Sequence, residues 1–280
     1  MIPGIESQLT SNPMTGRACI AMLVMALALA GCRTVAPPAS KTDPSLASDA
    51  NIQSLNAVIA QNPGDPNAYN VRGTVYGQAG DYKAALADFG MALLLDPSFS
   101  QAYSNRALVY RRMGRTKEAL ADYNRAIQTD TGYAPAYVGR GNILRQDGRL
   151  DLALADYDRA ISLDPTDAQA VHNRALVYQA QGQHQKAIED FTSAIGIAPS
   201  SAEPYSGRGL SYLTLGDAKT ALDDINESIA RDRGSYVAWT NQGLALEQLG
   251  EKKQASAAFA RAVALNPKYK PARDGMRRTG

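Results

Sequence analysis

The sequence predicts an all-α fold, a solenoid of helix-turn-helix repeats, on three observations. Glycine recurs at 80, 114, 148, 182, 216 and 250, each 34 residues after the last. Alanine recurs with the same step at 85, 119, 153, 187, 221 and 255. A third small position recurs as Gly73, Ala107, Gly141, Ala175, Gly209 and Gly243. A fixed period of this length is the mark of stacked helical units, each too small to bury its apolar face alone.

Each recurring position has a physical task. The glycine closing the first helix of a unit can adopt the left-handed C-cap conformation at little cost, turning the chain into the second helix. The small residues let the two helices approach closely. Large side chains fill the layers between them: Tyr69, Tyr103, Tyr137, Val171, Tyr205 and Trp239 on first helices. On second helices they are Phe89, Tyr123, Tyr157, Phe191, Ile225 and Phe259. Pro97, Pro165, Pro199 and Pro267 stop second helices, since proline restricts the preceding residue and has no N–H to donate. This pattern resembles the tetratricopeptide repeat (TPR) family. The resemblance implies a right-handed α-solenoid of six repeats, at 66–99, 100–133, 134–167, 168–201, 202–235 and 236–269.

The ends and the departures carry expectations of their own. The stretch ANIQSLNAVIAQ, residues 50–61, reads as a lone second helix within a capping segment 48–65 that covers the open N-terminal face. The basic tail 270–280 holds Arg273, Arg277 and Arg278 and forms one short helix over repeat 6 or frays. Thr131 stands where repeat 2 should carry proline. Ile225, Ser228 and Arg233 depart from the pattern together, so repeat 5 is expected to be the softest.

Ahead of the repeats, residues 18–32 form an uncharged run of 15 between Arg17 and Arg33. A bilayer-spanning helix needs about 20 residues, whereas a signal-peptide core of this length is ordinary. The run ends Leu29-Ala30-Gly31-Cys32, which resembles the lipobox of bacterial lipoproteins. The resemblance implies a signal peptide over 1–31 and lipidation of Cys32. A secretory core that happens to precede a cysteine, or a short membrane anchor, are the alternatives. A start at Met14 would give a compact basic n-region, because residues 1–13 contain Glu6 and look unlike a signal. Residues 32–47 are the lipidated cysteine followed by a Pro-, Ala- and Ser-rich tether expected to be disordered. Arg33 is not the aspartate that resembles an inner-membrane retention signal, so the periplasmic face of the outer membrane is the expected location.

Composition narrows the function. The chain has two cysteines, Cys19 and Cys32. Processing would remove the first and acylate the second, leaving no thiol for a disulfide, metal or nucleophile. A net charge of +2 is too weak to argue for nucleic acid. The two histidines, His172 and His184, have neither a cysteine nor a second histidine close in sequence for a metal site. No phosphate-binding glycine loop occurs, because the glycines are spaced rather than clustered. Neither an enzyme nor a cofactor is expected.

Two slots vary together. Arg72, Arg106, Arg140, Arg174 and Arg208 share one, and Asp88, Asp122, Asp156, Asp190 and Asp224 share another. In repeat 6 both change, to Gln242 and Ala258. Joint loss implies that the arginine and aspartate of a repeat pair across its two helices. An arginine ladder for an acidic ligand is the alternative, although it gives no reason for the aspartate to be lost in step.

In the family that the pattern resembles, first helices line a concave groove that binds proteins or peptides. Helical geometry places Asn105, Arg111, Arg112, Asn142, Arg145, Gln146, His172 and Asn173 among the groove-facing residues. The set is amide-rich with a basic middle, and amides can hydrogen-bond an extended peptide backbone. Asn105, Asn173 and Asn241 match the asparagine of the family's carboxylate clamp. Its lysine slots hold Asn70 and Ser104, with Pro135 and Gly139 in the neighbouring repeat, so no clamp is expected. The expected function is a membrane-anchored envelope adaptor for protein partners. The alternative is an assembly factor for a pilus secretin or another outer-membrane machine.

Overall fold

The computed structural model describes residues 44–280, with side chains from residue 51 onward. Residues 1–43, on which the expected signal peptide, the expected lipidation of Cys32 and most of the expected tether fall, lie outside the described residues. Fourteen α-helices and no strand occur among those that are described. Helix α1 (Pro44–Gln61) begins inside the segment read from composition as a tether; proline is well accepted at the first helical position. Six helix pairs follow: α2 (Pro66–Ala79) and α3 (Tyr82–Leu95), α4 (Ser100–Arg112) and α5 (Thr116–Thr129), α6 (Ala134–Gln146) and α7 (Leu150–Leu163). The next are α8 (Ala168–Ala180) and α9 (His184–Ile197), α10 (Ala202–Thr214) and α11 (Ala218–Arg231), α12 (Tyr236–Gln248) and α13 (Lys252–Leu265). Helix α14 (Lys270–Thr279) closes the array.

The period-34 glycines end every first helix in the same way. All six have positive φ, from 73° to 92°. At Gly114 the chain makes the two bonds of a Schellman turn: Gly114 N–H donates to Arg111 O at 3.0 Å and Arg115 N–H to Tyr110 O at 2.9 Å. A residue with a Cβ would be strained there. Second helices end differently. Asp96, Asp130, Asp164, Asp232 and Asn266 each accept the backbone N–H two residues on, at 2.8–3.1 Å. This Asx turn explains why Thr131 can replace proline: Asp130 ends α5 unaided.

Packing follows the small/large pattern. The period-34 alanines at 85, 119, 153, 187, 221 and 255 are all fully buried. Phe89, Tyr157, Phe191, Ile225 and Phe259 are at most 1% exposed, so repeat 5 is as tightly filled at this position as its neighbours. A second row of small residues, on the first helix of the following layer, admits the same rings. An added Cβ at Gly139 would lie 2.3 Å from the Tyr123 ring, at Gly207 2.5 Å from Phe191, and at Gly275 2.4 Å from Phe259. Gly275 sits on α14, so the tail acts as a further first helix and seals the C-terminal face.

The arginine–aspartate pairing is present in all five repeats that carry it. Arg72 donates to Asp88 through Nε and Nη2, both at 2.7 Å, and Arg106, Arg140, Arg174 and Arg208 repeat the two-bond geometry. The remaining nitrogen reaches the second helix of the preceding layer: Arg140 Nη1 donates to Asn124 at 2.7 Å, Arg174 to Asp158 at 2.7 Å and Arg208 to Thr192 at 3.0 Å. Arg72 does the same to Asn56 of α1, at 2.7 Å, so α1 occupies the place of a second helix in a layer before repeat 1. Arg106 finds Gly90 in that place and forms only its aspartate pair. Gln242 keeps the backward bond, to Asn226 at 2.8 Å, and loses only the aspartate. These arginines are therefore ties between helices, and the ligand-ladder alternative falls.

Candidate peptide-binding groove

Contacts between helices define the curvature. Each first helix touches the next first helix, from α2 to α14, whereas second helices of adjacent repeats do not touch among the described residues. Elements that meet on one side and splay on the other bend the array, so the first helices form the inner wall and the second helices the outer.

The inner wall uses part of the polar set that the sequence offered as groove residues. Asn105 donates through Nδ2 to Asn70 Oδ1 at 3.0 Å and to Thr74 Oγ1 at 3.3 Å. Asn241 donates in the same way to Ser206 Oγ at 3.2 Å. Two of the three clamp-like asparagines, Asn105 and Asn241, are thus ties between successive first helices. Asn173 is buried, and the position equivalent to Asn70 is Val138, which offers it no acceptor. Arg112 donates through Nη1 to Gly77 O at 3.0 Å and links repeats 1 and 2. Asn70, Ser104 and Val138 are buried between layers rather than presented to a ligand.

What remains on the wall is a compact basic centre. Tyr157 on α7 donates through its hydroxyl to Asn142 Oδ1 at 2.8 Å. Burial raises the Tyr157 pKa; Arg145 opposes the shift through its charge and a side-chain hydrogen bond, and the charge of Arg111 opposes it to a smaller extent. Arg111 also opposes the rise that burial causes at Tyr123. Among the described residues neither Arg111 nor Arg145 has an ion-pair partner, and Arg145 Nε is buried without a hydrogen bond. Gln146 is exposed next to them.

His172 continues the centre on α8. Its ring packs against Phe191 at 5.4 Å between centroids, and its Nδ1 is buried without a partner. Burial lowers its pKa, Arg145 lowers it further, and Glu203 opposes both. The imidazole is therefore neutral at pH 7. His172 and Glu203 line two openings on the wall, of about 490 Å³ and about 280 Å³. The larger is lined by Gln169, Asn173 and Pro204, the smaller by Leu176, Leu210, Val237 and Asn241. No group of three or more His, Cys, Asp or Glu side chains is placed to hold a metal among the described residues. His184 is half-buried at the start of α9, with a buried Nδ1.

Sequence reasoning missed one pattern on this wall. At a single slot the first helices read Val71, Asn105, Gly139, Asn173, Gly207, Asn241 and Gly275. Glycine receives a ring from the preceding layer, and at 105 and 241 asparagine ties the preceding first helix. The alternation of 68 residues was present in the sequence, but it is meaningful only once the layer-to-layer contact is known.

Comparison with known proteins agrees with the architecture. Tetratricopeptide repeat profiles match residues 66–99, 100–131, 168–201 and 236–269, and a TPR repeat profile matches 141–182, together more than half of the chain. No curated protein matches the chain by sequence. Among solved structures, the APC/C Cut9–Hcn1 complex aligns with a TM-score of 0.75 at 19% identity, over 84% of this chain and 46% of that one. The chain thus spans about half the length of that structure. Pseudomonas aeruginosa pilF aligns with a TM-score of 0.69 at 18% identity, over 76% of this chain and 97% of its own. PilW, described as a widely conserved type IV pilus biogenesis factor, gives 0.68 at 20% identity, over 75% and 97%. At such identities the likeness is one of fold. With the period, the matched repeats and the solenoid in agreement, the chain belongs to the tetratricopeptide repeat family, whose members serve as protein-interaction scaffolds.

Proposed function

We propose that the protein is a lipid-anchored adaptor of a bacterial envelope, holding protein partners against its inner wall. One observation carries the reading: the lipobox-like Leu29–Cys32 stretch stands ahead of a solenoid whose inner wall, among the described residues, leaves Arg111 and Arg145 without an ion-pair partner and His172 Nδ1 without a hydrogen bond. The lipid keeps the protein at a membrane, the intervening segment gives reach, and the groove supplies the binding surface. A diacylated cysteine gives firmer anchoring than a single chain, since each buried CH₂ contributes about 0.8 kcal/mol. Arg33 after the cysteine favours the outer membrane where the source has two.

Two measurements test the reading. Cys32→Ser should release the protein from the membrane pellet or leave it unprocessed; a normally sized, pelleted variant would overturn the anchor. A photo-crosslinking residue at Gln146, on the inner wall, should capture partners in living cells that the same residue at Lys117, on α5, does not. Capture from Lys117 alone would place the binding surface on the outer wall.

A second reading, assembly factor for a pilus secretin or other outer-membrane machine, is favoured by the extent of the fold shared with pilF and PilW, 97% of each. The identity of the crosslinked partner separates the two: a secretin subunit supports the second, and an envelope enzyme such as a cell-wall hydrolase supports the first.

A further inference from the structure

Equivalent positions form rows along the inner wall, and two rows change character midway. One row reads Gly77, Arg111, Arg145, Gln179, Leu213 and Glu247. The other, one turn earlier on each helix, reads Thr74, Leu108, Asn142, Leu176, Leu210 and Leu244. Cations occupy the first row only in repeats 2 and 3. Leucine runs unbroken along the second only from repeat 4.

Among the described residues the cationic stretch has no counter-ion of its own. Neither Arg111 nor Arg145 forms an ion pair among the described residues. The one carboxylate of that row, Glu247, is held by Arg278 of α14 through two bonds at 2.8 and 2.7 Å. The leucine stretch opens into the cavity of about 280 Å³, where Val237 is 38% exposed beside Leu176 and Leu210. His172 lines that cavity together with Gln179, the residue that follows Arg145 in the first row. The basic and apolar stretches are therefore continuous.

We infer that the groove selects a protein segment with acidic side chains towards one end and apolar side chains towards the other. The acids meet Arg111 and Arg145, and the apolar groups enter the cavity of Leu176, Leu210 and Val237. This inference rests on the reading of the inner wall as a peptide groove. A polyanion such as nucleic acid would satisfy the arginines and gain nothing from the leucines. Packed helices lie about 8–10 Å apart and an extended chain advances about 3.3 Å per residue, so one repeat spans about three residues. Arg145 and Leu210 are on α6 and α10, two first helices apart, which places the acidic and apolar groups about six positions from one another. Uncompensated cations next to an apolar cavity steer and then hold such a segment.

The test is selection of displayed random segments of about twelve residues, enough to cross four repeats, on the purified full chain in mild detergent. Enriched segments should segregate Asp and Glu from Leu, Ile, Val and Phe. As free peptides they should bind about tenfold more tightly than scrambled versions of the same composition. Arg111→Gln with Arg145→Gln should remove the acidic preference and keep the apolar one. Val237→Ser with Leu210→Ser should do the reverse, and Val237→Ser alone serves if the pair lowers helicity. Enrichment without segregation, or an acidic preference that survives loss of both arginines, overturns the inference while leaving the peptide groove standing. No enrichment at all overturns both.

Discussion

Arg140 on α6 grips Asp156 on α7 through two hydrogen bonds, Nε–H to Oδ2 at 2.9 Å and Nη2–H to Oδ1 at 2.6 Å, and holds Asn124 of the preceding layer with its third nitrogen. The carboxylate side chain is 6% exposed and the guanidinium side chain 26%. The pair is thus asymmetric. Arg140→Ala strands a buried carboxylate, whereas Asp156→Ala leaves a cation that still has Asn124 and water. Urea unfolding should show the arginine variant losing more, about 1–3 kcal/mol. The double-mutant cycle should give a coupling of about 0.5–3 kcal/mol. Additive effects would show that the bidentate contact contributes no stability of its own.

Two helical glycines should respond in opposite directions to the same change. At Gly139 a methyl group would meet the Tyr123 ring at 2.3 Å, so Gly139→Ala should destabilise by about 1–3 kcal/mol through overpacking. At Gly90, inside α3, nothing lies within 4 Å of the added carbon. Gly90→Ala should therefore stabilise by about 0.5–1 kcal/mol by restricting the unfolded chain. Thermal melts of the two single variants check this, and a shared sign would contradict the contact between Gly139 and the Tyr123 ring.

His172 makes stability depend on pH in a definite direction. Its folded pKa lies below the unfolded value of about 6.5, burial being the main cause. Between the two values the unfolded chain binds more protons, so stability from this residue is complete above about pH 6.5 and falls as pH drops through the folded pKa. His172→Gln should lessen the loss of melting temperature between pH 7.5 and 5.5. Identical losses in the two proteins would mean that the imidazole titrates freely in the groove.

Removal of residues 270–280 should expose the face of repeat 6. Phe259 is fully buried against Gly275, and its uncovering should cost about 1.5–3 kcal/mol. Amides of α13 should then exchange faster while those of α7 stay unchanged, because stability in a solenoid is coupled between neighbours. Arg278→Ala alone should cost about 0–1 kcal/mol, its side chain being 48% exposed. Uniform acceleration across the array would show a single cooperative unit instead.

The architecture of the repeats is legible in the sequence alone. Identical requirements return every 34 residues, so the C-cap glycines, the close-packing alanines and the ring positions could be read as columns. The same logic exposed the Arg–Asp pairs, because Gln242 and Ala258 changed together. In repeat 5, Ile225 fills the place of an aromatic ring without leaving exposed surface. Which inward-facing side chains stay available was decided only by the tertiary structure. Arg112 and Arg111 are neighbours in sequence, yet one is tied to Gly77 O, 35 residues away, and the other has no such tie. Asn105 looked like a ligand donor until Asn70 and Thr74 of the previous layer came within 3.3 Å. A repeat unit specifies its own two helices through local spacing, but a groove side chain competes for partners across layers, and that competition depends on the rotation and approach of one layer on the next.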